Sequence, residues 1–237
     1  MTTILPYDDP LAQFARRRRY AEAGDNAWQL ALQEAGIPRV NLGASFRNLD
    51  KSQDPKAYAD CQKFAEGLDA AIEDEPVLES FADIEAMVGT DRPKRGLLLM
   101  GPPGNGKTSL AVAIARSYAK KTQGQRVIRF FLVAELLERV KATYGSEEED
   151  ASAVALVRGV DLLILDDLGQ QRVTDWSSSQ MRDLLQYVWG EDRQAIITTN
   201  LTIQELDECI DAAASISRLL GHCAVVQLNG DDRRIMP

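Results

Sequence analysis

Eight residues in the middle of the chain, Gly101-Pro102-Pro103-Gly104-Asn105-Gly106-Lys107-Thr108, satisfy the pattern GxxxxGK followed by Ser or Thr. They stand between the apolar GLLLM and the helical SLAVAIARSYAKK, the strand–loop–helix setting in which such a loop holds phosphate. Glycine has no Cβ, so successive backbone N–H groups can turn inward and cradle a β-phosphate. The following helix adds the partial positive charge of its amino terminus. Lys107 would reach the β- and γ-phosphates, and the Thr108 hydroxyl would ligate Mg²⁺. Ser109 follows in the helix, and residues 101–109 together form the expected nucleotide contact.

A second cluster, Leu162-Leu163-Ile164-Leu165-Asp166-Asp167-Leu168-Gly169, puts two carboxylates at the end of four apolar residues. A buried strand avoids an unpaired charge, whose burial costs on the order of several kcal/mol. Open α/β sheets bind their ligands beyond the carboxyl ends of the strands, and a phosphate-bound Mg²⁺ needs an acidic partner there. Asp166 is the residue expected to hold Mg²⁺ through water, and Asp167 the one expected to polarise an attacking water. The plainer reading is an aspartate pair that caps the strand and its turn.

The elements that must position these groups are legible from residue 95 onward. Apolar runs at 96–100, 127–132, 162–165, 195–199 and 224–228 read as strands, with helical stretches at 107–121, 133–143, 176–190 and 203–220 between them. This alternation predicts an α/β fold with a parallel five-stranded sheet covered on both faces. Upstream, Asp9-Pro10 is a helix start, and LAQFARRRRYAEAGDNAWQLALQEAG reads as helix, broken near Gly24-Asp25 and stopped at Gly36-Ile37-Pro38. VNLGASFRNLDKSQDP reads as a turn-rich linker. Helical periodicity resumes over 56–90 through Tyr58, Cys61, Phe64, Ala65 and Leu68. The expected organisation is a small helical amino-terminal appendage at 1–40, linker and helices at 41–90, and the nucleotide-binding core at 91–237.

The charge balance, 27 − 36 = −9, argues against broad coating of nucleic acid and leaves room for a local basic groove. A hydrophobic content of 45% over 237 residues suits one packed α/β domain with an appendage. Cys61, Cys209 and Cys223 are widely spaced and His222 is the one histidine, so no structural zinc is expected and free thiols fit a reducing cytosol. MTTILPYDDP lacks the pattern of a signal peptide, and no apolar run nears the roughly 20 residues that span a bilayer. The expectation is a cytoplasmic protein with no membrane segment.

Four segments in order, GLLLMGPPGNGKTSLAVAIA, VDLLILDDLGQQRVTDW, AIITTNLTIQEL and SRLLGHCAVVQLNGDDRR, resemble the AAA+ ATPases of the bacterial DnaC/DnaI helicase-loader type. More loosely they resemble the IstB-type transposition helpers. IPRVNLGASFRNLD is similar to the stretch that leads into the family's ATPase domain, so the likeness covers roughly residues 37–237. The resemblance implies an AAA+ P-loop NTPase that binds ATP with Mg²⁺ and self-associates on binding it. Asn200 then looks like sensor 1, a neutral amide that would bond the γ-phosphate or the lytic water. Ser217-Arg218-Leu219 resembles the arginine-finger box, which implies that Arg218 acts in trans on ATP held by a neighbouring subunit. In the ending Gly230-Asp231-Asp232-Arg233-Arg234, the arginine that aligns with sensor 2 is Arg234, with Arg233 as the alternative. Without the resemblance, each arginine reads as a solvated or salt-bridged side chain.

The departures from the family pattern carry expectations of their own. Nine residues follow Leu228, so a carboxy-terminal lid is expected to be absent or minimal and the pocket comparatively open. Asp167 stands where many AAA+ motors have glutamate; one methylene shorter, it predicts weak intrinsic hydrolysis. The chain lacks the cysteine-rich zinc module of many DnaC/DnaI-type relatives, so its amino-terminal region need not bind the same partner in the same way.

The resemblance implies two further partners: a hexameric replicative helicase of the DnaB type, gripped by the amino-terminal helices, and single-stranded DNA along the inside of a spiral. Arg139, Lys141 and Tyr144 on LLERVKATY are the local DNA-binding candidates, two cations and a stackable ring, or else a solvated helix face. The acidic GSEEED that follows would repel a phosphate backbone. The four arginines at 16–19 point all around a helix and could touch DNA or an acidic partner. Phe14, Tyr20, Trp28 and Leu32 read equally as a small core or a docking surface. The leading expectation is an ATP-dependent loader of the replicative helicase onto single-stranded DNA. The alternatives are an IstB-type helper that binds duplex DNA and stimulates a transposase, and a small-molecule P-loop kinase, in which Asn200 and the SRL box would have no role.

Overall fold

A computed structural model describes residues 10–52, 54–68, 94–143, 152–210, 213–230 and 232. Helix α1 (Pro10–Ala23) passes through a 3₁₀ turn (Gly24–Asn26) into α2 (Ala27–Glu34), so the chain changes helix type where Gly24 predicts a break. Helix α3 (Pro55–Gly67) precedes β1 (Gly96–Met100), α4 (Lys107–Lys121), β2 (Ile128–Leu132), α5 (Val133–Thr143) and α6 (Ala153–Val157). Then come β3 (Leu162–Asp166), α7 (Asp175–Gly190), β4 (Gln194–Thr199), α8 (Ile203–Ile210), α9 (Ala213–His222) and β5 (Cys223–Gln227). The helical stretch expected over 203–220 is thus two helices, α8 and α9. No helix among the described residues is long and apolar enough to cross a membrane.

The five strands pair in parallel in the order β2-β3-β4-β1-β5. Strands β1, β3 and β4 are buried along their whole length, which is why their sequences are apolar runs without alternation. Successive side chains still divide between two cores. Leu98, Met100, Leu163, Leu165 and Ile197 face the layer that holds α5 and α7; Leu97, Leu99, Ile164 and Ile196 face the layer that holds α3 and α4. Each such side chain contributes about 1.5–3 kcal/mol on full burial, so the sheet is a stiff base for the loops at its carboxyl edge.

The packing crosses the expected boundary at residue 40. Leu32, Ala35, Ile37, Tyr58, Cys61 and Ala65 share one core with Leu97, Leu99 and Ile114. Arg129 Nη1 donates to the Glu34 carbonyl at 2.7 Å, and Phe130 N–H donates to the Ala35 carbonyl at 2.7 Å. Arg116 Nε donates to the Ala44 carbonyl at 2.9 Å, so part of the linker stretch is also tied to α4. Tyr20, Ala27 and Ala31 form a smaller cluster of their own. The Phe14 side chain and the periodicity expected at 69–90 lie outside the described residues.

Candidate nucleotide site

The phosphate-loop residues 101–106 connect the end of β1 to the first turn of α4. Gly104 has φ +78° and Gly106 has φ +94°, backbone conformations that side chains with a Cβ rarely adopt. Lys107 begins α4, and its side chain turns back into the loop, buried to 5% exposure. Its Nζ donates to the carbonyls of Gly101 (2.7 Å) and Pro102 (2.8 Å) and to Asn105 Oδ1 (3.1 Å). These three acceptors are neutral oxygens, which phosphate oxygens, as charged acceptors, would displace. Pro102 and Pro103 are exposed on the loop's rim, and Ser109 is half-buried in the first turn of α4.

Strand order brings the aspartates to this loop. β4 lies between β1 and β3, so the ends of all three meet at one edge of the sheet. Thr108 Oγ1 donates to Asp166, 2.9 Å from Oδ1 and 3.0 Å from Oδ2. From β4, the Thr198 hydroxyl donates to Asp166 Oδ1 at 2.7 Å. Burial pushes the Asp166 carboxyl above its ordinary range, and the Asp167 charge adds to this. The hydroxyls of Thr198 and Thr108 and the Lys107 charge act the other way.

Asp167 sits at φ +58°, and its backbone N–H donates to Thr198 Oγ1 at 3.0 Å. Aspartate tolerates that left-handed backbone better than most side chains do, which is a second reason, beside reach, for aspartate here. Asn200, beyond the end of β4, points Nδ2 at Asp167 Oδ1 across 3.4 Å. Thr198 thus touches both aspartates, a role that residue-by-residue motif reading passes over. The signal for it is ITTN, two hydroxyls closing an otherwise apolar buried strand.

Lys107, Thr108, Asp166, Asp167 and Asn200 are therefore one cluster, and Arg218 is not part of it. Arg218 is exposed on α9 and lines a cleft of about 280 Å³ with Lys94, Arg95, Trp189, Asp192 and His222. Those residues precede or end elements at the amino-terminal edge of the sheet, opposite the loop. Arg95 Nε lies 2.6 Å from Asp192 Oδ2, and His222 Nε2 lies 2.9 Å from the Arg193 carbonyl.

On α5, Arg139 and Lys141 are exposed. The Arg139 guanidinium lies 5.9 Å from the Phe131 ring, while Lys141 lies 5.0 Å from the Trp176 ring and 2.9 Å from Glu138. In α1, Arg16 is buried, Arg18 pairs with Glu22 and Arg19 pairs with Glu34, so consecutive arginines do face different ways. Tyr144, Arg233 and Arg234 lie outside the described residues. A cleft of about 1060 Å³ lined by Tyr20, Trp28, Lys120 and Arg126 lies at the far end of α4, away from the phosphate loop.

Among the described residues, no group of three or more His, Cys, Asp or Glu side chains could hold a metal ion. The Thr108 hydroxyl and the Asp166 carboxylate are hard oxygen donors in direct contact. They fit Mg²⁺, which keeps several waters and binds through one or two protein oxygens plus phosphate.

The model of the family described as IstB-like ATP binding protein matches residues 74–236. Among solved structures, the DnaC helicase loader aligns with a TM-score of 0.61 and 20% identity, over 81% of this chain and 99% of that one. DnaI aligns with a TM-score of 0.60 and 26% identity, over 84% and 95%. A curated relative, the uncharacterized protein YqaM of Bacillus subtilis (strain 168), is 29% identical over 162 residues, 66% of this chain and 50% of that protein. The chain spans half or less of the length of the curated relatives it matches. The α/β fold is that of AAA+ P-loop NTPases.

Proposed function

We propose a function for a chain that belongs to the IstB-like ATP-binding family of AAA+ ATPases: an oligomerising ATP switch that loads the replicative helicase onto single-stranded DNA in the cytoplasm. The observation that carries the nucleotide half is the cluster of Thr108, Asp166, Thr198, Asp167 and Asn200 beside Lys107. Lys107 trades its loop carbonyls for β- and γ-phosphate oxygens, and residues 101–109 wrap the phosphates. Thr108 and Asp166 would hold Mg²⁺, which would supply neutralisation of the phosphate charge. Asp167 orients a water and accepts its proton as the oxygen attacks the γ-phosphorus; the bond to the bridging oxygen breaks and ADP and phosphate leave. Asn200, within reach of Asp167, holds the water or a γ-oxygen.

Arg218 stands at the opposite edge of the sheet from its own loop, which supports a role on ATP bound by a neighbouring copy. Arg234, or Arg233, supplies the sensor 2 cation. The likeness to the DnaC helicase loader and to DnaI over nearly the whole of each chain favours the loading function. In that reading the amino-terminal helices contact the helicase, and Arg139, Lys141 and Tyr144 contact single-stranded DNA.

The test is capture of a purified hexameric replicative helicase by the full chain. Capture with ATP that is lost in Lys107→Ala is expected; ATP hydrolysis without capture would remove the loader reading. The match to the IstB-like family model favours a second reading, a transposition helper on duplex DNA. ATP-dependent filaments on duplex DNA, together with failed helicase capture, would select it.

A further inference from the structure

β4 ends in two threonines whose side chains leave opposite faces of the sheet. Thr198 shares its face with Ile196 and meets Asp166. Thr199 shares its face with Ile197, toward the apolar layer that holds α5 and α7, and is fully buried. A hydroxyl in such a layer must find hydrogen-bond partners, since burying it without them is costly. Its partners are backbone groups of two different turns. Thr199 Oγ1 donates to the Leu168 carbonyl at 2.7 Å and accepts from the Leu201 N–H at 3.1 Å. Leu168 directly follows Asp167, and Leu201 directly follows Asn200.

The same two turns are closely packed. The first is closed by the Gln170 N–H, which donates to the Asp167 carbonyl at 3.1 Å. A Cβ built on Gly169 would lie 2.3 Å from Leu201 Cδ1, so a glycine is what lets the turns approach. Buried Gln171 accepts from the Gly169 N–H through Oε1 at 2.9 Å and fixes the far end of the first turn. The Leu168 N–H donates to the Thr198 carbonyl at 2.9 Å, which anchors that turn to β4 but does not reach Leu201. The Thr199 hydroxyl spans the remaining step. The side chains of Asp167 and Asn200, one on each turn, come within 3.4 Å.

We propose that Thr199 is a positioning residue for ATP hydrolysis: its hydroxyl joins the turn that carries Asp167 to the turn that carries Asn200 and fixes the spacing at which the two hold the attacking water. This rests on the roles given to Asp167 and Asn200 above. Asp167 takes a proton from the water while Asn200 holds that water or a γ-oxygen, so both side chains serve one geometry. Thr199 lies on the face of the sheet opposite α4, whose first turn continues the phosphate loop. Its hydroxyl therefore acts on the rate of the chemical step and leaves phosphate binding to residues 101–109.

The experiment measures phosphate release, Mg·ATP affinity by calorimetry and thermal unfolding on the full chain and its variants. Thr199→Val keeps the volume and removes the hydroxyl. Its kcat is expected to fall about tenfold or more, as a small misplacement of reacting groups causes, with affinity within about twofold of wild type. Thr199→Ser restores the hydroxyl and is expected to recover kcat to within about threefold of wild type. Ile197→Val thins the same face of the same strand; it should lower the unfolding temperature and leave kcat unchanged. In an Asp167→Asn background, Thr199→Val should cost no further turnover, because both act on one step. Wild-type kcat in Thr199→Val, an equal loss of affinity, no recovery in Thr199→Ser, or independent losses in the double variant would overturn the proposal. If Thr199→Val does not fold, Thr199→Cys, whose thiol is a weak donor, takes its place. Reduced kcat at unchanged affinity is then expected, and wild-type kcat would overturn the proposal. A wild-type chain that binds no ATP, or full turnover in Asp167→Asn, would instead overturn the reading beneath it.

Discussion

Thr108 Oγ1 stands 2.9 Å from Oδ1 of Asp166, joining the first turn of α4 to the end of β3. The two residues are 58 positions apart, and the contact exists because β4 is inserted between β1 and β3 in the sheet. Thr198 on that inserted strand bonds the same carboxylate oxygen, so Asp166 is gripped from both sides.

Replacing Asp166 separates its cost to the fold from its use. Burial raises its pKa above the ordinary 3.8, so the fold disfavours the ionised form. Its contribution to stability is full below the unfolded value and is lost as pH rises through the folded one. At neutral pH, Asp166→Asn is expected to raise the unfolding temperature by about 2–4 °C for a chain of this size. Mg²⁺-dependent ATP turnover should fall by about a hundredfold or more. Thermal scans paired with phosphate-release assays check both signs.

At Asp167 the predictions divide reach from charge. Asp167→Asn retains a side chain that tolerates φ +58° but removes the base, so turnover should fall about a hundredfold with ATP affinity nearly unchanged. Asp167→Glu lengthens the reach while fitting that backbone less well, at a cost of about 1 kcal/mol. It is expected to keep or raise turnover with a lower unfolding temperature. Loss of ATP binding in Asp167→Glu would contradict this division of roles.

His222 gives a pH dependence of opposite sign to that of Asp166. Its burial, the largest cause, holds the imidazole below its ordinary 6.5, with Arg95 and Lys94 adding to the effect and the Arg193 carbonyl and Asp192 opposing it. The unfolded chain therefore binds the proton first, and stability present above 6.5 is lost as pH falls through the folded value. Denaturant midpoints measured from about pH 8 to about pH 5 should fall, and His222→Gln should flatten that slope. An equal slope in the variant would place the titration elsewhere.

Arg218 can be tested by mixing. Arg218→Ala alone should bind ATP normally and lose assembly-dependent turnover by about a thousandfold. Lys107→Ala alone should also be inactive, having an intact Arg218 and no working loop. A mixture of the two is expected to regain part of the turnover, because one copy supplies the arginine and the other the ATP. A mixture that stays inactive, although it co-assembles, would remove the trans assignment.

What the sequence discloses differs between the site and its supports. The loop residues 101–108, the Asp166–Asp167 pair and all five strands are legible because each depends on a local pattern: a glycine spacing, a carboxylate after an apolar run, a buried parallel strand. Thr198 is harder to find, because its role depends on which strand lies between β1 and β3, and strand order is not a local property. Asp54 is harder still: its composition suits a helix cap, and its partners are the backbone groups of Asn229 and Gly230. The attachment of α2 to β2 and α4 escapes for the same reason, since Leu32 and Ile37 are apolar residues whose partner surface lies far along the chain.

Lys107, Thr108 and Asp166 are expected to form one ATP site. Calorimetric titration of the full chain with ATP, with and without Mg²⁺, measures this directly. Mg·ATP should bind the wild-type chain at one site per copy, and Lys107→Ala should weaken that binding about tenfold or more, as loss of a charged phosphate contact requires. Equal ATP affinity in the wild type and Lys107→Ala would contradict the account.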